Sequence, residues 1–291
     1  MKIILTGCAG QLGRELKRSL SVQAEVIALD RNGLDLADGD SLRSMLEAQQ
    51  PDVIVNAAAW TAVDKAETEE AAARAINTTA PGVLAVEAAR VGARLIHFST
   101  DYVFDGSKSQ PYVETDTTAP LSAYGRTKRD GELAILAAAG NSLILRTSWV
   151  YGVHGANFMK TMLRLGKERD ELSVVDDQFG APTWTRHLAD ATALLIAGAP
   201  SVKGIYHLTA GGETSWHDYA EAIFSEALRM GLMEKIPLLR RVASTNWPTP
   251  AQRPANSRLD CSRMRQQTGI ALPDWRIGLT DCIADLRFTS T

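Results

Sequence analysis

The sequence predicts an α/β protein whose first half is a doubly wound parallel sheet. Short apolar runs of strand type alternate with helical segments from residue 2 to residue 147, which is the order from which parallel sheets are built. The first run leads directly into a loop rich in glycine, Gly7-Cys8-Ala9-Gly10-Gln11-Leu12-Gly13. Beyond residue 150 the alternation loosens. We therefore expect one domain over 1–150 and a smaller, mixed α/β domain over 151–291.

Five strands are predicted in the first domain, each a short apolar run bounded by polar or turn residues. They cover residues 2–6, 25–29, 52–55, 94–98 and 143–147. Helices are predicted between them at 12–20, 40–49 and 69–90, and from Tyr124 onward. Thr79-Ala80-Pro81-Gly82 interrupts the third helix, because proline lacks the N–H that a helix interior needs. Helices alternating with strands in this way cover both faces of the sheet.

The second domain is predicted to be smaller and mixed. Its helices are expected near 157–168, 186–197, 216–229 and 279–286, with a strand at 205–208. We expect the helix near 186–197 to pack back on the first domain. A chain of 291 residues is long enough for two domains that share a cleft.

Composition narrows the class of protein and its surroundings. Hydrophobic residues make up 45%, charged residues 22%, and the net charge is −3, so the chain has no basic stripe for nucleic acid. The apolar runs are too short for a signal peptide or a membrane span. Three scattered cysteines, Cys8, Cys261 and Cys282, fit a reducing compartment, and the five histidines lack metal-ligand spacing. We predict a cytoplasmic protein without nucleic-acid, membrane or metal partners.

The glycine loop has the arrangement that holds a dinucleotide pyrophosphate. A strand, a glycine loop and a helix follow one another, and Gly7, Gly10 and Gly13 supply a tight turn, close backbone approach and close helix packing. The second strand ends in Asp30, where an acid binds the ribose hydroxyls. Arg31 follows and suits a 2′-phosphate. The cofactor is therefore NADPH or NADH, with the choice left open, and Asp35-Leu36 is expected to run beneath the adenine.

A pair of polar stretches marks the expected catalytic edge. Thr100 follows the strand at 94–98, so its hydroxyl is expected to face a crevice at the carboxyl end of the sheet. Tyr124 and Lys128 are four residues apart, which places both on one face of a helix. An ammonium beside a phenol favours the phenolate, so we expect the pKa of Tyr124 to be lowered toward neutrality. The segment 105–122 between them reads as a loop over the cleft.

These features together resemble the extended short-chain dehydrogenase/reductases, and among them the dTDP-4-dehydrorhamnose reductase family. The resemblance spans nearly the whole chain and rests on eight stretches. They are Gly7-x-x-Gly10-x-x-Gly13, Asn56-Ala57-Ala58-Ala59, Val63-Asp64-Lys65-Ala66-Glu67, Ser99-Thr100-Asp101-Tyr102-Val103-Phe104, Tyr124-Gly125-x-x-Lys128, Arg146-Thr147-Ser148-Trp149-Val150-Tyr151, Asp177-Gln178-Phe179-Gly180-Ala181-Pro182-Thr183 and Arg253-Pro254-x-x-Ser257-Arg258-Leu259.

The resemblance implies a Rossmann fold, a reaction and a set of residue roles. Hydride would pass from NAD(P)H to the C4 carbonyl of dTDP-4-dehydro-L-rhamnose, in the last step of dTDP-L-rhamnose formation. Tyr124 would be the general acid, Lys128 would hold the nicotinamide ribose, and Thr100 would complete the triad. The cofactor would be lined by Gly10, Gln11, Leu12, Asp30, Ala59, Trp60 and Thr61. The sugar nucleotide would touch Thr100, Asp101 and Trp149, with Arg253 and Arg258 as candidates for its diphosphate.

Other members of the superfamily supply the alternatives. The dehydratases it resembles place Asp and then Glu after the threonine, whereas this chain has Asp101 followed by Tyr102, so an epimerase is the better enzymatic alternative. Similar proteins also serve as non-catalytic regulatory subunits of methionine adenosyltransferase. Some family reductases dimerise through Mg²⁺ held by carboxylates in the helix after the Ala-Pro-Thr stretch. Here Thr185-Arg186-His187 carries none, which leaves a monomer or a homodimer.

Overall fold

The computed structural model describes residues 1–289. Its centre is a six-stranded parallel sheet in the order β10-β5-β4-β3-β1-β2. The strands are β1 (Lys2–Thr6), β2 (Glu25–Leu29), β3 (Val53–Asn56), β4 (Arg94–Thr100), β5 (Ser142–Thr147) and β10 (Gly204–His207). The strand order reverses between β1 and β3, and ligands of open α/β sheets bind at such a reversal. The predicted doubly wound parallel sheet is confirmed.

Side chains of the central strands alternate between the two faces of the sheet, as the strand period of two requires. Ile3, Leu5, Val55 and Ile96 point into one core, and Ile4, Ile54 and Leu95 point into the other. Helices α1 (Gln11–Leu20) and α8 (Thr185–Gly198) cover the first face. Helices α2 (Gly39–Gln49), α5 (Ala80–Val91) and α6 (Ala123–Ala137) cover the second. Both faces are therefore covered, which explains why consecutive residues in the middle of these strands are apolar.

The helix predicted over 69–90 is interrupted, as expected. The interruption is a π-helical turn, so the chain stays helical through it. The helix consists of α4 (Glu70–Arg74), the π-helical turn (Ala75–Thr79) and α5. Pro81 lies in the first turn of α5 and cannot donate to the carbonyl of Asn77. Helix α6 packs closely against this turn, because a Cβ on Gly131 would lie only 2.1 Å from Asn77 O. A short helix, α3 (Val63–Ala66), precedes this stretch.

The C-terminal half surrounds an aromatic core. Helices α7 (Phe158–Glu168), α9 (Trp216–Arg229) and α11 (Trp275–Thr289) pack around Tyr151 and Tyr219, both about 1% exposed. Three small sheets complete this half. They pair β6 (Val150–Tyr151) with β9 (Thr183–Trp184), β7 (Glu171–Val175) with β12 (Leu238–Val242), and β8 (Phe179–Gly180) with β11 (Thr214–Ser215). The sequence analysis did not predict β7, β12 or helix α10 (Ser262–Thr268).

The two halves of the chain are interleaved. Strand β10 pairs with β5 in the central sheet, so that sheet is not confined to residues 1–150. Helix α8 packs on α1, where Arg186 Nε donates to Glu15 at 3.1 Å and Arg18 pairs with Asp190 at 2.5 Å. The division into 1–150 and 151–291 stays a prediction, and positions 290 and 291 lie outside the described residues. In the described part of the chain, no helix has the length and apolar character to cross a membrane.

Candidate active site

The glycine loop forms a cradle at the reversal of strand order. Gly7 has a φ of +74°, and a Cβ there would lie 2.6 Å from Ala58 N, so only glycine fits. A Cβ on Gly13 would lie 2.0 Å from Gly7 O, which shows how closely α1 approaches the loop. Gly10 N donates to Gly7 O at 3.0 Å and closes the turn. The amino end of α1 is therefore held close to the cleft, the arrangement that attracts a phosphate.

The far end of the cleft collects the predicted adenosine-side residues. Asp30 follows β2 and accepts from the backbone N–H groups of Asn32 and Gly33, each at 3.0 Å. This turn and the end of β3 enclose one continuous cleft. Its lining consists of Thr6, Gly7, Gly10, Leu29, Asp30, Arg31, Leu34, Asp35, Leu36, Ala57, Ala58, Ala59 and Ile76. A groove with a phosphate cradle at one end and a carboxylate at the other fits a dinucleotide.

Other predicted cofactor residues lie near this cleft without lining it. Gln11 Oε1 accepts from Asn157 Nδ2 at 2.8 Å, and Leu12 is half-buried against the core. Thr61 is exposed. Trp60 is fixed by Asn77, whose Oδ1 accepts from Trp60 N at 2.9 Å and whose Nδ2 donates to Trp60 O at 3.1 Å. Sequence reasoning missed Asn77, although the proline four residues later signalled a break in that helix.

Thr100 and Tyr124 meet at the carboxyl end of β4. Ser122 caps α6 by accepting from Gly125 N at 3.2 Å, which fixes Tyr124 in the first turn of the helix. Tyr124 is hydrogen bonded to the Thr100 hydroxyl. A Cβ on Gly125 would lie 2.2 Å from Tyr102 O, so the helix start is pressed against the turn after β4. The structure thus brings together two of the three predicted catalytic residues.

The predicted lowering of the Tyr124 pKa is wrong for the ligand-free protein. Burial raises the pKa of Tyr124 to about 12, the Thr100 hydrogen bond opposes this rise, and the Asp101 carboxylate adds to it. The side chain of Lys128 is engaged elsewhere: Nζ donates to Phe98 O at 2.6 Å and lies 3.0 Å from His97 Nε2. Tyr124 is therefore a protonated phenol, which is the form of a proton donor.

Lys128 and Asp101 are both buried ionisable groups. Lys128 is 1% exposed, and burial lowers its pKa to about 8 against the favourable charge of Glu132. Asp101 is 3% exposed, and burial raises its pKa to about 6, while hydrogen bonds from Ser257 and Thr100 oppose that rise. Thr100 Oγ1 donates to Asp101 Oδ1 at 2.9 Å. Strongly perturbed pKa values at two buried groups, one beside Thr100 and the other one turn from Tyr124, are typical of catalytic sites.

Trp149 projects from a strained turn beyond β5. Its φ of +47° lies in the left-handed region that side chains other than glycine rarely adopt. The indole lies against Gly180, where a Cβ would be 2.5 Å from the ring. It also stacks on Trp216, with ring centroids 3.5 Å apart and planes 5° from parallel. Sequence reasoning missed Trp216, because it lies 67 residues from Trp149 and only the fold brings the rings together.

The two arginines considered for the diphosphate are already paired. Arg253 donates to both carboxylate oxygens of Asp64 at 3.2 and 3.0 Å and is hydrogen bonded to Tyr102. Arg258 donates to Glu213 at 2.8 Å and to Ser109 O at 2.6 Å. The second contact ties the loop 105–122 to the C-terminal half. Either arginine would have to exchange partners to bind a phosphate.

One group of side chains in the described part of the chain has the spacing of a metal site. Asp176, His217 and Asp218 place their ligand atoms within 4.8 Å of one another. Arg241 already donates to Asp176 at 2.7 Å and to Asp218 at 2.8 Å. The guanidinium of Arg241 lies between the two carboxylates and supplies the positive charge that a metal cation would otherwise supply. The cluster is therefore built as an ion-pair network.

Comparison with known proteins places this geometry in a family. The family described as RmlD substrate binding domain matches residues 1–288. The dTDP-4-dehydrorhamnose reductase of Shigella flexneri is 49% identical, and the match covers 100% of this chain and 99% of that protein. The crystal structure of a Clostridium acetobutylicum dTDP-4-dehydrorhamnose reductase is similar with a TM-score of 0.93 and 39% identity, covering 99% and 100% of the two chains.

A second solved structure carries a nucleotide. The dTDP-4-dehydrorhamnose reductase of Bacillus anthracis, in complex with NADP, is similar with a TM-score of 0.92 and 35% identity, covering 98% of this chain and 99% of that one.

Proposed function

This chain is a member of the dTDP-4-dehydrorhamnose reductase family, and from that premise we propose how its own residues perform the reaction. The protein is an NAD(P)H-dependent oxidoreductase that reduces the C4 carbonyl of dTDP-4-dehydro-L-rhamnose to give dTDP-L-rhamnose. The observation that carries the proposed roles is the contact of Thr100 with Tyr124 at the carboxyl end of β4, with Lys128 one helical turn further along α6 and bonded to Phe98 O of the same strand.

NADPH or NADH would bind along the cleft at the strand-order reversal. Gly7, Gly10 and Gly13 would let the pyrophosphate approach the backbone, and the amino end of α1 would neutralise part of its charge. Asp30 and Arg31 would face the adenosine ribose, and Asp35 and Leu36 the adenine. Gln11, Leu12, Ala59, Trp60 and Thr61 would complete the contacts at the nicotinamide end. Beyond its bond to Phe98 O, the amine of Lys128 would donate to the nicotinamide ribose.

The proton needed at the substrate oxygen would come from Tyr124. The reduced nicotinamide, when bound, supplies the hydride. As the carbonyl carbon accepts it, negative charge develops on the oxygen, and the Tyr124 hydroxyl donates its proton there. Because burial keeps Tyr124 protonated well above neutral pH, the acid form is fully populated under physiological conditions.

Thr100 and Asp101 would orient that proton. The Thr100 hydroxyl has a single hydrogen, and it is given to Asp101 Oδ1 at 2.9 Å. Thr100 can then only accept from Tyr124, so in the ligand-free protein the phenolic hydrogen points at Thr100 Oγ1, and it would turn to the substrate oxygen when the sugar nucleotide binds. The second carboxylate oxygen, Asp101 Oδ2, is buried without a partner among the described residues. It would accept a hydroxyl of the sugar, and the face of Trp149 would pack against the ring.

Neither alternative is favoured by the comparisons with known proteins. The relatives named above are reductases rather than epimerases or regulatory subunits. We further propose residence in the cytoplasm, supported by the three free cysteines, Cys8, Cys261 and Cys282. We keep the predictions of a monomer or homodimer and of no nucleic-acid partner, which light scattering after size-exclusion chromatography and a DNA-binding assay would test.

The decisive experiment follows the absorbance of NADPH and NADH on addition of dTDP-4-dehydro-L-rhamnose, generated in place because it is labile. We expect oxidation that depends on the sugar nucleotide, with dTDP-L-rhamnose as the product by mass and NMR. Tight dinucleotide binding without oxidation would contradict the proposal and favour a regulatory subunit. Interconversion of two sugar nucleotides without net oxidation would favour an epimerase.

A further inference from the structure

A chain of buried side chains runs across the ends of three central strands and finishes at Lys128. Thr6 of β1, Asn56 of β3 and His97 of β4 are 2%, 1% and 1% exposed. Thr6 Oγ1 donates to Asn56 Oδ1 at 2.7 Å, Asn56 Nδ2 lies 3.0 Å from His97 Nδ1, and His97 Nε2 lies 3.0 Å from Lys128 Nζ. Because buried polar groups must be mutually satisfied, the hydrogens in this chain are strongly constrained.

The orientation of the Asn56 amide follows from a backbone group that can only donate. Ala58 N–H points at the Asn56 side-chain oxygen over 3.2 Å. Reversing the amide would place its NH₂ against that N–H, with two donors facing each other. Asn56 therefore presents Nδ2 to His97, and Nδ1 of His97 must accept.

The same reasoning fixes the ring proton of His97. Burial holds the pKa of His97 well below its usual range, and a charge on Lys128 would lower it further, so the ring is neutral and carries one hydrogen. With Nδ1 accepting from Asn56, that hydrogen lies on Nε2 and points at Lys128 Nζ. An ammonium has three donors and no acceptor, whereas a neutral amine has a lone pair that can accept.

The geometry points to Asn56 and His97 as positioning residues for Lys128. We propose that Asn56 holds His97 as its Nε2–H tautomer, so that His97 donates to Lys128 and favours the neutral amine. The amine's two N–H groups are then divided between Phe98 O, at 2.6 Å, and the cleft. The lone pair and one hydrogen at Nζ then each have one partner, His97 and Phe98 O, and the second hydrogen stays available to the cofactor.

The other charged groups around Lys128 do not reproduce this effect. Glu132, one turn along α6, favours the ammonium. It is itself paired with Arg146 of β5 at 2.8 and 2.7 Å and accepts from Ser99 of β4 at 2.5 Å. Tyr124, one turn earlier on α6, is protonated and carries no charge near neutrality. The proposed bond from His97 therefore acts together with burial, against a carboxylate that Arg146 largely neutralises.

The consequence for catalysis rests on the proposed function. Above the Lys128 pKa of about 8, the neutral amine does not draw Tyr124 toward the phenolate, so the phenol stays available as the acid that carbonyl reduction needs. Protonation of Lys128 would require His97 to move its hydrogen to Nδ1 and Asn56 to turn its amide. The charge on Lys128 is thereby linked to a buried amide on β3, the strand beside β4.

The first test uses the ligand-free protein, so it does not depend on any substrate. In ¹⁵N-histidine-labelled protein, long-range ¹H–¹⁵N correlation spectra identify the protonated ring nitrogen, and His97→Gln assigns the signal. We expect His97 to be neutral with its hydrogen on Nε2 above the Lys128 pKa of about 8. A hydrogen on Nδ1 at that pH would overturn the proposal, whether or not the protein proves to be a reductase.

The second test measures the titration of Lys128 in ¹³C-lysine-labelled protein, with Lys128→Met assigning its signal. Asn56→Leu frees His97 from its donor without adding charge, and Asn56→Asp forces the hydrogen to Nδ1. In both variants His97 Nε2 can accept a hydrogen bond from the Lys128 ammonium, which stabilises the charged form. We therefore expect the pKa of Lys128 to rise by about one unit or more, the usual contribution of a hydrogen bond to a charged group. No shift in either variant, or a shift in N56D alone, would overturn the proposal; if neither variant folds, the wild-type spectrum decides.

Discussion

The indole rings of Trp149 and Trp216 stack face to face, with centroids 3.5 Å apart. Trp149 has a strained φ of +47°, so its position depends on the rings and backbone that confine it. Trp216 is the first residue of α9, and Phe158 of α7 packs on its other side at 4.6 Å. The C-terminal half thereby sets the position of a side chain that we assign to the sugar.

Loss of Trp216 should weaken sugar-nucleotide binding through Trp149. For Trp216→Leu we expect KM for the sugar nucleotide to rise about three- to tenfold, since an aromatic pair contributes about 0.5–1.5 kcal/mol, while the Kd for NADPH stays unchanged. The exciton couplet of the stacked indoles should disappear from the far-ultraviolet circular dichroism spectrum. Trp247→Leu is the matched control, because Trp247 is 55% exposed. An equal rise in KM in both variants would contradict the assignment.

Removal of the Tyr124 hydroxyl should abolish most of the proton transfer. We expect Tyr124→Phe to lower kcat by about 10²–10⁴, the usual contribution of general acid catalysis, and to leave dinucleotide affinity nearly intact. Tyr102→Phe is the control, since its ring lies edge-on to Tyr124 at 5.7 Å. Stopped-flow decay of NADPH measures the rates, and fluorescence titration measures binding. A comparable loss of kcat in both variants would refute the role of Tyr124.

The two residues after β2 should pull cofactor preference in opposite directions. Asp30→Ala removes a carboxylate suited to the ribose hydroxyls, so it should raise KM for NADH more than for NADPH. Arg31→Ala removes a partner for the 2′-phosphate and should raise KM for NADPH more, by about tenfold. The ratio of kcat/KM values for the two cofactors measures both effects. Movement of that ratio in the same direction in both variants would be incompatible with this placement.

Asp101 should make stability fall as pH rises. Its pKa is raised to about 6 in the folded protein from 3.8, so the folded state binds the proton more tightly than the unfolded chain. The associated stability is present below about pH 4 and lost as pH rises through 6. Relative to wild type, Asp101→Asn should therefore gain about 3 kcal/mol between pH 4 and 7.5, measured by urea unfolding.

The control for this prediction titrates with the opposite sign. Asp38 caps α2, and hydrogen bonds from Ser41 lower its pKa. Its stability contribution is present above the unfolded pKa and lost on acidification, so Asp38→Asn should lose stability relative to wild type as pH rises. A pH-independent difference between wild type and Asp101→Asn would show that burial does not perturb Asp101.

A methyl group at the base of the cradle should destroy cofactor binding. The Cβ of Gly13→Ala would lie 2.0 Å from Gly7 O, so the loop or α1 must move. We expect the Kd for NADPH to rise by two orders of magnitude or more, about 3 kcal/mol, measured by calorimetry. Gly198→Ala is the control, because its Cβ would meet nothing within 4 Å. Unchanged affinity in Gly13→Ala would exclude this loop as the phosphate site.

Local patterns were sufficient for short apolar runs that end in a turn. The strands at 2–6 and 25–29 were predicted with the bounds that the structure has, because each is a run of mainly apolar residues followed directly by turn residues. By contrast, β7 and β12 were missed. All five residues of β12, Leu-Leu-Arg-Arg-Val, are aliphatic or charged, and the two kinds do not alternate. Three of the five are exposed, so only the pairing with β7 identifies the segment as a strand.

The sequence by itself determined the alternation of strands and helices that makes the doubly wound sheet, and it predicted the glycine loop and the Tyr124–Lys128 pair as sites, since each depends on residues close together in the chain. Only the tertiary structure decided the electrostatics. Tyr124 and Lys128 are neighbours on one helix, which predicted a lowered tyrosine pKa, yet burial raises it to about 12. The Lys128 amine contacts Phe98 O and His97 instead, and both of these residues belong to β4. Desolvation and hydrogen-bond partners depend on what the fold brings alongside, and spacing along the chain does not contain that information.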